Sequence, residues 1–191
     1  MRQELAGQAD FLVGIVARLS DVKGHIYLIQ AMPEVIKNFP GTKLLIIGQG
    51  KTKDVLIKET RSLGLENSIL FISEVKNTKD ILAAIDIFVM PSLQEGLGLA
   101  LMEAMAQGVA VVGSAVGGIK TLIQDKTNGL LVAPANASAL AQAIITLLKD
   151  SSLRRNLGAR AREFIMANFS KEEMVDKTEI IYQQSFLGKI K

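Results

Sequence analysis

Residues 86–118 read DIFVMPSLQEGLGLALMEAMAQGVAVVGSAVGG and contain the pattern that decides the fold. Residues 87–90 are a short apolar run followed by a proline, which predicts a buried strand. Residues 99–107 are almost all strong helix formers and are ended by a glycine. Residues 109–112 form a second apolar run. This order predicts a βαβ unit whose two loops lie at the carboxyl edge of a parallel sheet, where ligands of open α/β sheets bind.

Two glutamates lie in this unit, Glu95 in the loop before the helix and Glu103 inside it. An unpaired carboxylate in an otherwise apolar helix is costly, so Glu103 needs a partner or a ligand. The free N–H groups of the helix start lie between the two carboxylates and attract anions. Spacing alone leaves two interpretations open. The glutamates accept hydrogen bonds from a sugar beside a diphosphate, or Glu95 caps the helix and Glu103 is paired in the core.

The rest of the chain repeats the alternation of strands and helices. It therefore predicts an α/β fold of the Rossmann-like type, a doubly wound parallel sheet with further helices at its C-terminal end. The further strands are predicted at residues 11–17, 43–47, 69–72 and 128–132, and the further helices at residues 25–38, 53–63, 80–84, 139–148, 152–168 and 171–186.

Composition excludes several classes of site and protein. The 191 residues contain no cysteine and one histidine, His25, which excludes disulfides, thiolate metal sites and zinc sites built from histidines. A net charge of +3 is mild and does not indicate nucleic-acid binding. No apolar run is long enough to span a membrane. We expect a cytoplasmic protein, and we interpret His25 as a helix-start residue.

Two glycine motifs resemble nucleotide-binding loops, but their glycines do not have the spacing that such loops require. The stretch Gly48-Gln49-Gly50-Lys51-Thr52 has one residue between its glycines, whereas a P-loop needs four to form its phosphate cradle. The pair Gly96-x-Gly98 lacks the third glycine of a dinucleotide fingerprint. ATP hydrolysis through a P-loop and NAD binding are therefore not predicted.

Residues 95–108, EGLGLALMEAMAQG, resemble the E-x7-E signature of the retaining glycosyltransferases of family 4 (group 1), whose fold is called GT-B. Residues 17–24, ARLSDVKG, resemble the G-R-L…K-G motif of that family. Residues 71–75, FISEV, are similar to its F-x-G-x-V segment, and residues 128–134, NGLLVAP, to its N-G-x-L-V-x-P strand. The motifs follow in the family's order over nearly the whole chain.

The resemblance implies a role for each matching residue. Arg18 and Lys23 would hold the donor diphosphate, Glu95 the sugar hydroxyls, and Glu103 the ribose. Val75 would meet the base. The remaining substrate-binding residues implied are Gly48, Gly96, Leu97, Gly98 and Leu99. The two cations take the place of a metal, so the resemblance implies no cofactor besides the nucleotide-sugar substrate.

Ala17 and Ser73 stand where the family usually has Gly, which bears on the loop of Arg18 and on Val75 as a base contact. Three further departures concern the central unit and the turn after it. Leu97 stands where the family usually has Phe, and Ala110 where it usually has Pro; both replacements are apolar, so we expect both positions to pack. Thr121 stands where the family often has Glu, which leaves contacts from the Gly117-Gly118 turn open.

Members of the family have two Rossmann-like domains with the active site between them. Residues 1–191 resemble the C-terminal, donor-binding domain, so we expect the N-terminal acceptor domain to be absent from this chain. The resemblance implies a parent enzyme that transfers a hexose from a UDP-, GDP- or ADP-sugar with retention of configuration. The chain alone is expected to bind the donor weakly and to transfer nothing.

Two alternatives remain open at this point. One is a nucleotide-sugar-binding relative without transferase activity, such as an epimerase-like or regulatory protein of the same fold. The other concerns residues 149–171, which carry six Lys or Arg against two acidic residues. Such a face is either solvated or makes a peripheral contact with a membrane that carries lipid-linked acceptors.

Overall fold

A six-stranded, all-parallel sheet forms the centre of the computed structural model, which describes Gly7 and residues 9–75, 77–169 and 171–186. The strand order is β3-β2-β1-β4-β5-β6. The strands are Phe11–Val16 (β1), Thr42–Ile47 (β2), Ile69–Ile72 (β3), Ile87–Met90 (β4), Ala110–Ser114 (β5) and Leu130–Val132 (β6). The chain therefore has the doubly wound parallel sheet that its sequence predicts.

Eight α-helices accompany these strands in the described part of the chain. They are His25–Asn38 (α1), Lys53–Ser62 (α2), Thr78–Ala84 (α3), Leu99–Ala106 (α4), Ile119–Leu122 (α5), Ala137–Lys149 (α6), Ser151–Asn168 (α7) and Lys171–Phe186 (α8). Each predicted element is present, with ends that differ by no more than two residues. The sequence analysis missed α5 and a single 3₁₀ turn at Asp21–Lys23, because neither is long enough to show a periodic pattern.

The sheet is covered on both faces, which explains why its strands are apolar runs rather than alternating ones. One core lies between the sheet and helices α1, α2 and α6, and it contains Val13 and Ile15 of β1. The other core lies between the sheet and helices α3, α4, α5 and α7, and it contains Leu12 of β1. Successive strand residues thus point to opposite cores. Helix α8 carries exposed apolar side chains, among them Ile181, Tyr182 and Phe186.

None of the helices in the described residues has both the length and the apolar content that crossing a bilayer requires.

Candidate functional site

The strand order reverses between β1 and β4, the two central neighbours of the sheet. In doubly wound sheets the crevice for a ligand opens at this switch point, outside the carboxyl ends of the strands. The loop that follows β1 contains Lys23, and the loop that follows β4 contains Glu95. Both predicted site residues therefore belong to the two loops that border the crevice.

These two loops are joined through their backbones. The N–H of Leu93 donates a hydrogen bond of 2.8 Å to the carbonyl oxygen of Val22. Gly24 lies in the left-handed region with φ +67°, and a Cβ added there would be 2.0 Å from the carbonyl oxygen of Pro91. Only glycine permits this approach. The position of Lys23 is thereby set relative to the loop that carries Glu95.

The Gly117-Gly118 turn after β5 holds the other side of the Glu95 loop. The N–H of Gly118 donates to the carbonyl oxygen of Glu95 at 3.2 Å. A Cβ on Gly118 would be 1.9 Å from the carbonyl oxygen of Gly96. The glycine pair therefore has a structural reason, which is the close approach of two backbones. In this part of the chain, Thr121 is exposed at the sequence position where the family often has Glu.

The turn after β2 packs against the loop after β1 in the same way. The N–H of Leu19 donates to the carbonyl oxygen of Gln49 at 2.8 Å. A Cβ on Gly48 would be 2.1 Å from the carbonyl oxygen of Ala17, so this position also needs a glycine. The structure thus explains Gly48 by packing, and its predicted role in lining a nucleotide pocket stays a prediction.

Lys23 and Glu95 form an ion pair, with Nζ 2.6 Å from Oε2. The side chains are only 19% and 9% exposed, respectively. The hydroxyl of Ser92 donates to the same oxygen at 3.1 Å. Both contacts use Oε2, so Oε1 of Glu95 accepts no hydrogen bond within the described residues. The carboxylate is held in place from one side and can still accept hydrogen bonds on its other oxygen.

Ser92 is a site residue that the sequence analysis missed. It is buried, and its contact with Glu95 spans three residues of the same loop. The available signal was the spacing Ser-x-x-Glu directly after a proline, which keeps the hydroxyl and the carboxylate in one short loop.

The start of α4 has free N–H groups, because its N-cap is Gly98 with φ 76° and no side chain caps it. The alternative in which Glu95 caps this helix is therefore wrong. Leu97 and Leu99 are 51% and 66% exposed, so the expectation that Leu97 packs is wrong as well. Ala110 is buried in the sheet and does pack, as expected. The apolar side chains of Leu97 and Leu99 are therefore exposed to solvent at the border of the crevice.

Glu103 is exposed, which contradicts the alternative of a carboxylate paired in the core. The reason is that α4 buries Leu101, Ala104 and Met105, whereas Glu103 lies on the face of the helix that is open to solvent. Glu103 lines a depression of about 320 Å³ together with Asn77, Lys79 and other residues of the α3 and α4 surfaces. The half-buried Val75 comes two residues before Asn77 on the same connection.

Arg18 is exposed and has no side-chain hydrogen bond or ion pair with any described residue. It lies in the loop that follows β1, at the same edge of the sheet as Lys23. The structure therefore brings Lys23 and Glu95 into contact, and it places Arg18 at the rim, where no described side chain pairs with it. Among the described residues, no group of three or more His, Asp or Glu side chains is arranged to bind a metal ion.

His25 begins α1, as the sequence predicts, and it is 2% exposed. Burial, together with the charge of Lys23, lowers the pKa of His25 to about 4, so the ring is neutral at pH 7. Neither ring nitrogen has a hydrogen-bond partner among the described residues. The sequence offered no signal for this, because a lone histidine at a helix start is usually solvated.

The basic stretch of residues 149–171 is less free than its charge suggests. Arg154 donates to the carbonyl oxygen of Leu147 at 2.7 Å, and its guanidinium lies 5.4 Å from the centre of the Phe11 ring. Arg154 therefore closes the end of α6 and packs on β1. A peripheral membrane contact stays a prediction. Sedimentation with anionic vesicles that is no stronger than with neutral ones would exclude it.

A family model described as "Glycosyl transferases group 1" matches residues 1–164 of the chain. N-acetyl-alpha-D-glucosaminyl L-malate synthase of Bacillus anthracis is 35% identical over 167 residues, which are 87% of this chain and 42% of that protein. The chain thus spans less than half the length of this relative.

Two solved structures share the fold along most of the chain. The C-terminal domain of a group 1 glycosyl transferase family protein (LpcC) from Francisella tularensis has a TM-score of 0.80 at 27% identity, and the match covers 90% of this chain and 94% of that one. The Anabaena protein Alr3699/HepE, solved with UDP and with UDP-glucose, has a TM-score of 0.86 at 27% identity. The match covers 96% of this chain and 51% of that one.

Proposed function

Since the chain belongs to the group 1 glycosyl transferases, we propose that it binds the nucleoside diphosphate of a sugar donor in the crevice between β1 and β4. The observation that carries this proposal is the ion pair of Lys23 and Glu95, which is mostly withdrawn from solvent at the switch point of the sheet. Withdrawing two charges from water is costly, and this pair lies at the switch point, where ligands of open α/β sheets bind.

The donor diphosphate would lie against the start of α4. The free N–H groups of that helix and the ammonium of Lys23 both favour an anion there. Arg18, which is exposed at the same edge, adds a guanidinium that can bind two phosphate oxygens at once. Supporting this placement is the Anabaena protein solved with UDP and UDP-glucose, which shares the fold.

Each remaining part of the donor has a proposed contact. Oε1 of Glu95, which has no partner within the described residues, would accept hydrogen bonds from sugar hydroxyls. Glu103, exposed beside the α3 start, would accept from the ribose, and the segment around Val75 would meet the base. The exposed Leu97 and Leu99 would be covered by the bound donor, while Gly96 and Gly98 let it approach the backbone.

The reaction proposed for the whole enzyme is transfer of a hexose with retention of configuration. The bond between the sugar carbon and the diphosphate oxygen breaks, so negative charge builds on the departing phosphate. Lys23, Arg18 and the start of α4 would stabilise that charge electrostatically. In this proposal the two cations supply the positive charge that a metal ion supplies elsewhere, and no metal takes part.

Calorimetry of the chain with UDP, GDP and ADP, in buffer containing EDTA, tests the donor site and identifies the base. We expect one nucleotide to bind. We expect Lys23→Ala and Arg18→Ala each to weaken its binding by about 1–3 kcal/mol, because each variant removes a hydrogen bond between charged groups.

Lys37→Ala is the matched control for this titration, because Lys37 lies in the last turn of α1, away from the crevice. Its affinity should equal that of the unmodified chain. Unchanged affinity in both Lys23→Ala and Arg18→Ala would remove the phosphate assignment, and binding that disappears in EDTA would remove the metal-free proposal.

A further inference from the structure

Ser92 lies in the loop after β4 and is only 1% exposed, so its side chain is withdrawn from water. Its hydroxyl oxygen is 3.1 Å from Oε2 of Glu95. A carboxylate carries no hydrogen, so the hydroxyl of Ser92 is the donor in this hydrogen bond and Glu95 is the acceptor. Because Ser92 is buried, any effect that it has on a ligand in the crevice has to pass through Glu95.

The backbone that carries Ser92 is fixed on both sides of the residue. The N–H groups of Leu93 and Gln94 both donate to the carbonyl oxygen of Val22, at 2.8 and 3.4 Å. Before Ser92, the carbonyl group of Pro91 lies against Gly24, where a Cβ would be 2.0 Å from its oxygen. A serine side chain has one torsion between heavy atoms, with three staggered positions. The loop contacts therefore define where the hydroxyl oxygen lies.

Lys23 holds the same carboxylate oxygen more closely, with Nζ 2.6 Å from Oε2. In the proposed function this ammonium also faces the donor diphosphate, whose oxygens compete with Glu95 for it. The contact of Lys23 with the carboxylate is therefore weakened when the donor binds. The hydroxyl of Ser92 is the other contact that the described side chains make with Oε2, and its burial keeps it out of that competition.

Resting on the proposed donor site, we propose that Ser92 is a positioning residue, which keeps Glu95 oriented while Lys23 binds the diphosphate. With Oε2 held by the serine, Oε1 stays available to the hydroxyl groups of the donor sugar. Ser92 itself contacts neither the sugar nor the phosphates. Its loss should therefore weaken binding of the sugar part of the donor and leave binding of the diphosphate part unchanged.

Calorimetry of matched compounds separates these two parts. UDP and UDP-glucose, GDP and GDP-mannose, and ADP and ADP-glucose are titrated into the chain, and the affinity of each nucleotide-sugar is divided by that of its diphosphate. For the pair that binds, we expect this ratio to fall about 3- to 10-fold in Ser92→Ala, the equivalent of one hydrogen bond. The affinity for the diphosphate alone should stay the same.

Ser114→Ala is the matched control for this titration. It removes another buried serine hydroxyl, at the end of β5, which has no hydrogen-bond partner among the described residues. Its ratio should equal that of the unmodified chain. A merely structural contribution of Ser92 would weaken the diphosphate and the nucleotide-sugar alike, so it would leave the ratio unchanged.

A double-mutant cycle tests whether Ser92 acts through the carboxylate of Glu95. We expect Glu95→Ala to lower the ratio by itself, and the addition of Ser92→Ala to this variant to lower it no further, because the group that the serine holds is already gone. Thermal unfolding establishes that the variants are folded.

The outcomes separate the role of Ser92 from the donor site. An unchanged ratio in Ser92→Ala, an equal fall in Ser114→Ala, or a further fall in the double variant would overturn the role of Ser92 and leave the donor site in place. If none of the three diphosphates bound the unmodified chain, the donor site itself would be overturned, and the role of Ser92 with it.

Discussion

The contact between Lys23 and Glu95 joins two residues that are 72 positions apart in the chain. Each would be costly to hold in its loop without the other, because removing one partner leaves the other charge poorly solvated. Ser92 adds a hydrogen bond to the same carboxylate oxygen. At the scale of single residues, the crevice is therefore organised before any ligand arrives, which reduces the ordering that binding has to impose.

His25 makes stability depend on pH. Its pKa is about 4 in the folded chain and about 6.5 when unfolded, so between these values the unfolded chain binds more protons. The contribution of the neutral ring to the free energy of unfolding is therefore fully present above pH 6.5 and is lost as the pH falls toward 4. Two and a half pKa units correspond to on the order of 3 kcal/mol.

The measurement is the free energy of unfolding of the unmodified chain and of His25→Gln across this pH range. Carboxylates titrate in both proteins, so the difference between the two curves isolates the imidazole. We expect the advantage of the unmodified chain to shrink as the pH falls from 6.5 to 4. Parallel curves would show that the ring of His25 is not buried in its neutral form.

Among the elements, α4 shows how a helix with an apolar sequence can still present a polar residue to solvent. Its residues Leu99–Ala106 are apolar apart from Glu103, which predicts burial on all sides. In the structure the helix packs against the sheet, α7 and α3, while Leu99 and Glu103 remain exposed. Composition indicated how much of the helix could be buried, whereas its position in the fold determined which face was.

Helix α7 approaches the end of α4 through a glycine. A Cβ on Gly158 would be 2.1 Å from the carbonyl oxygen of Gly108, so Gly158→Ala forces α7 away from that turn. We expect this variant to lose about 1–3 kcal/mol of stability through overpacking, although the same change in an open helix gains about 1 kcal/mol.

Asn156→Ala is the control for this element, because Asn156 is an exposed position of the same helix. Denaturant unfolding should show it to be neutral or slightly stabilised. Equal stability of Gly158→Ala and the unmodified chain would mean that the close contact of α7 with Gly108 is not formed.

At the scale of the whole molecule, the chain covers nearly all of a solved C-terminal domain but less than half of the length of a curated relative. Such relatives therefore contain a part, more than half of their length, that the 191 residues do not match. We propose that the matched part binds the nucleotide-sugar and that the acceptor is bound elsewhere. The chain has its own sheet and two cores, which is consistent with this division.

The corresponding prediction concerns the purified 191-residue chain. We expect it to bind a nucleoside diphosphate and to release none from a UDP-, GDP- or ADP-hexose when acceptor sugars or lipids are added, because in our proposal the acceptor is bound by a part of the relatives that these residues do not match. Calorimetry measures the first property and an assay for released diphosphate the second. Turnover by this chain would contradict the division of roles.

Local patterns in the sequence determined most of the fold. The apolar runs, the helix periodicities and the glycines that end them follow from interactions between residues close in the chain, so strands and helices were predicted to within two residues. The same patterns located Arg18, Lys23 and Glu95 at one edge of the sheet, because parallel strands bring the loops after them together. Only α5 and the 3₁₀ turn were too short to predict.

Tertiary structure decided the pairing, exposure and cavities of the site. The contact of Lys23 with Glu95, the exposure of Leu97 and Glu103, and the burial of His25 all depend on how separate loops pack on one another. Such contacts join residues far apart in the chain, and no periodicity or propensity records them. The sequence therefore determined the scaffold and the order of the loops, and packing between those loops determined which side chains meet.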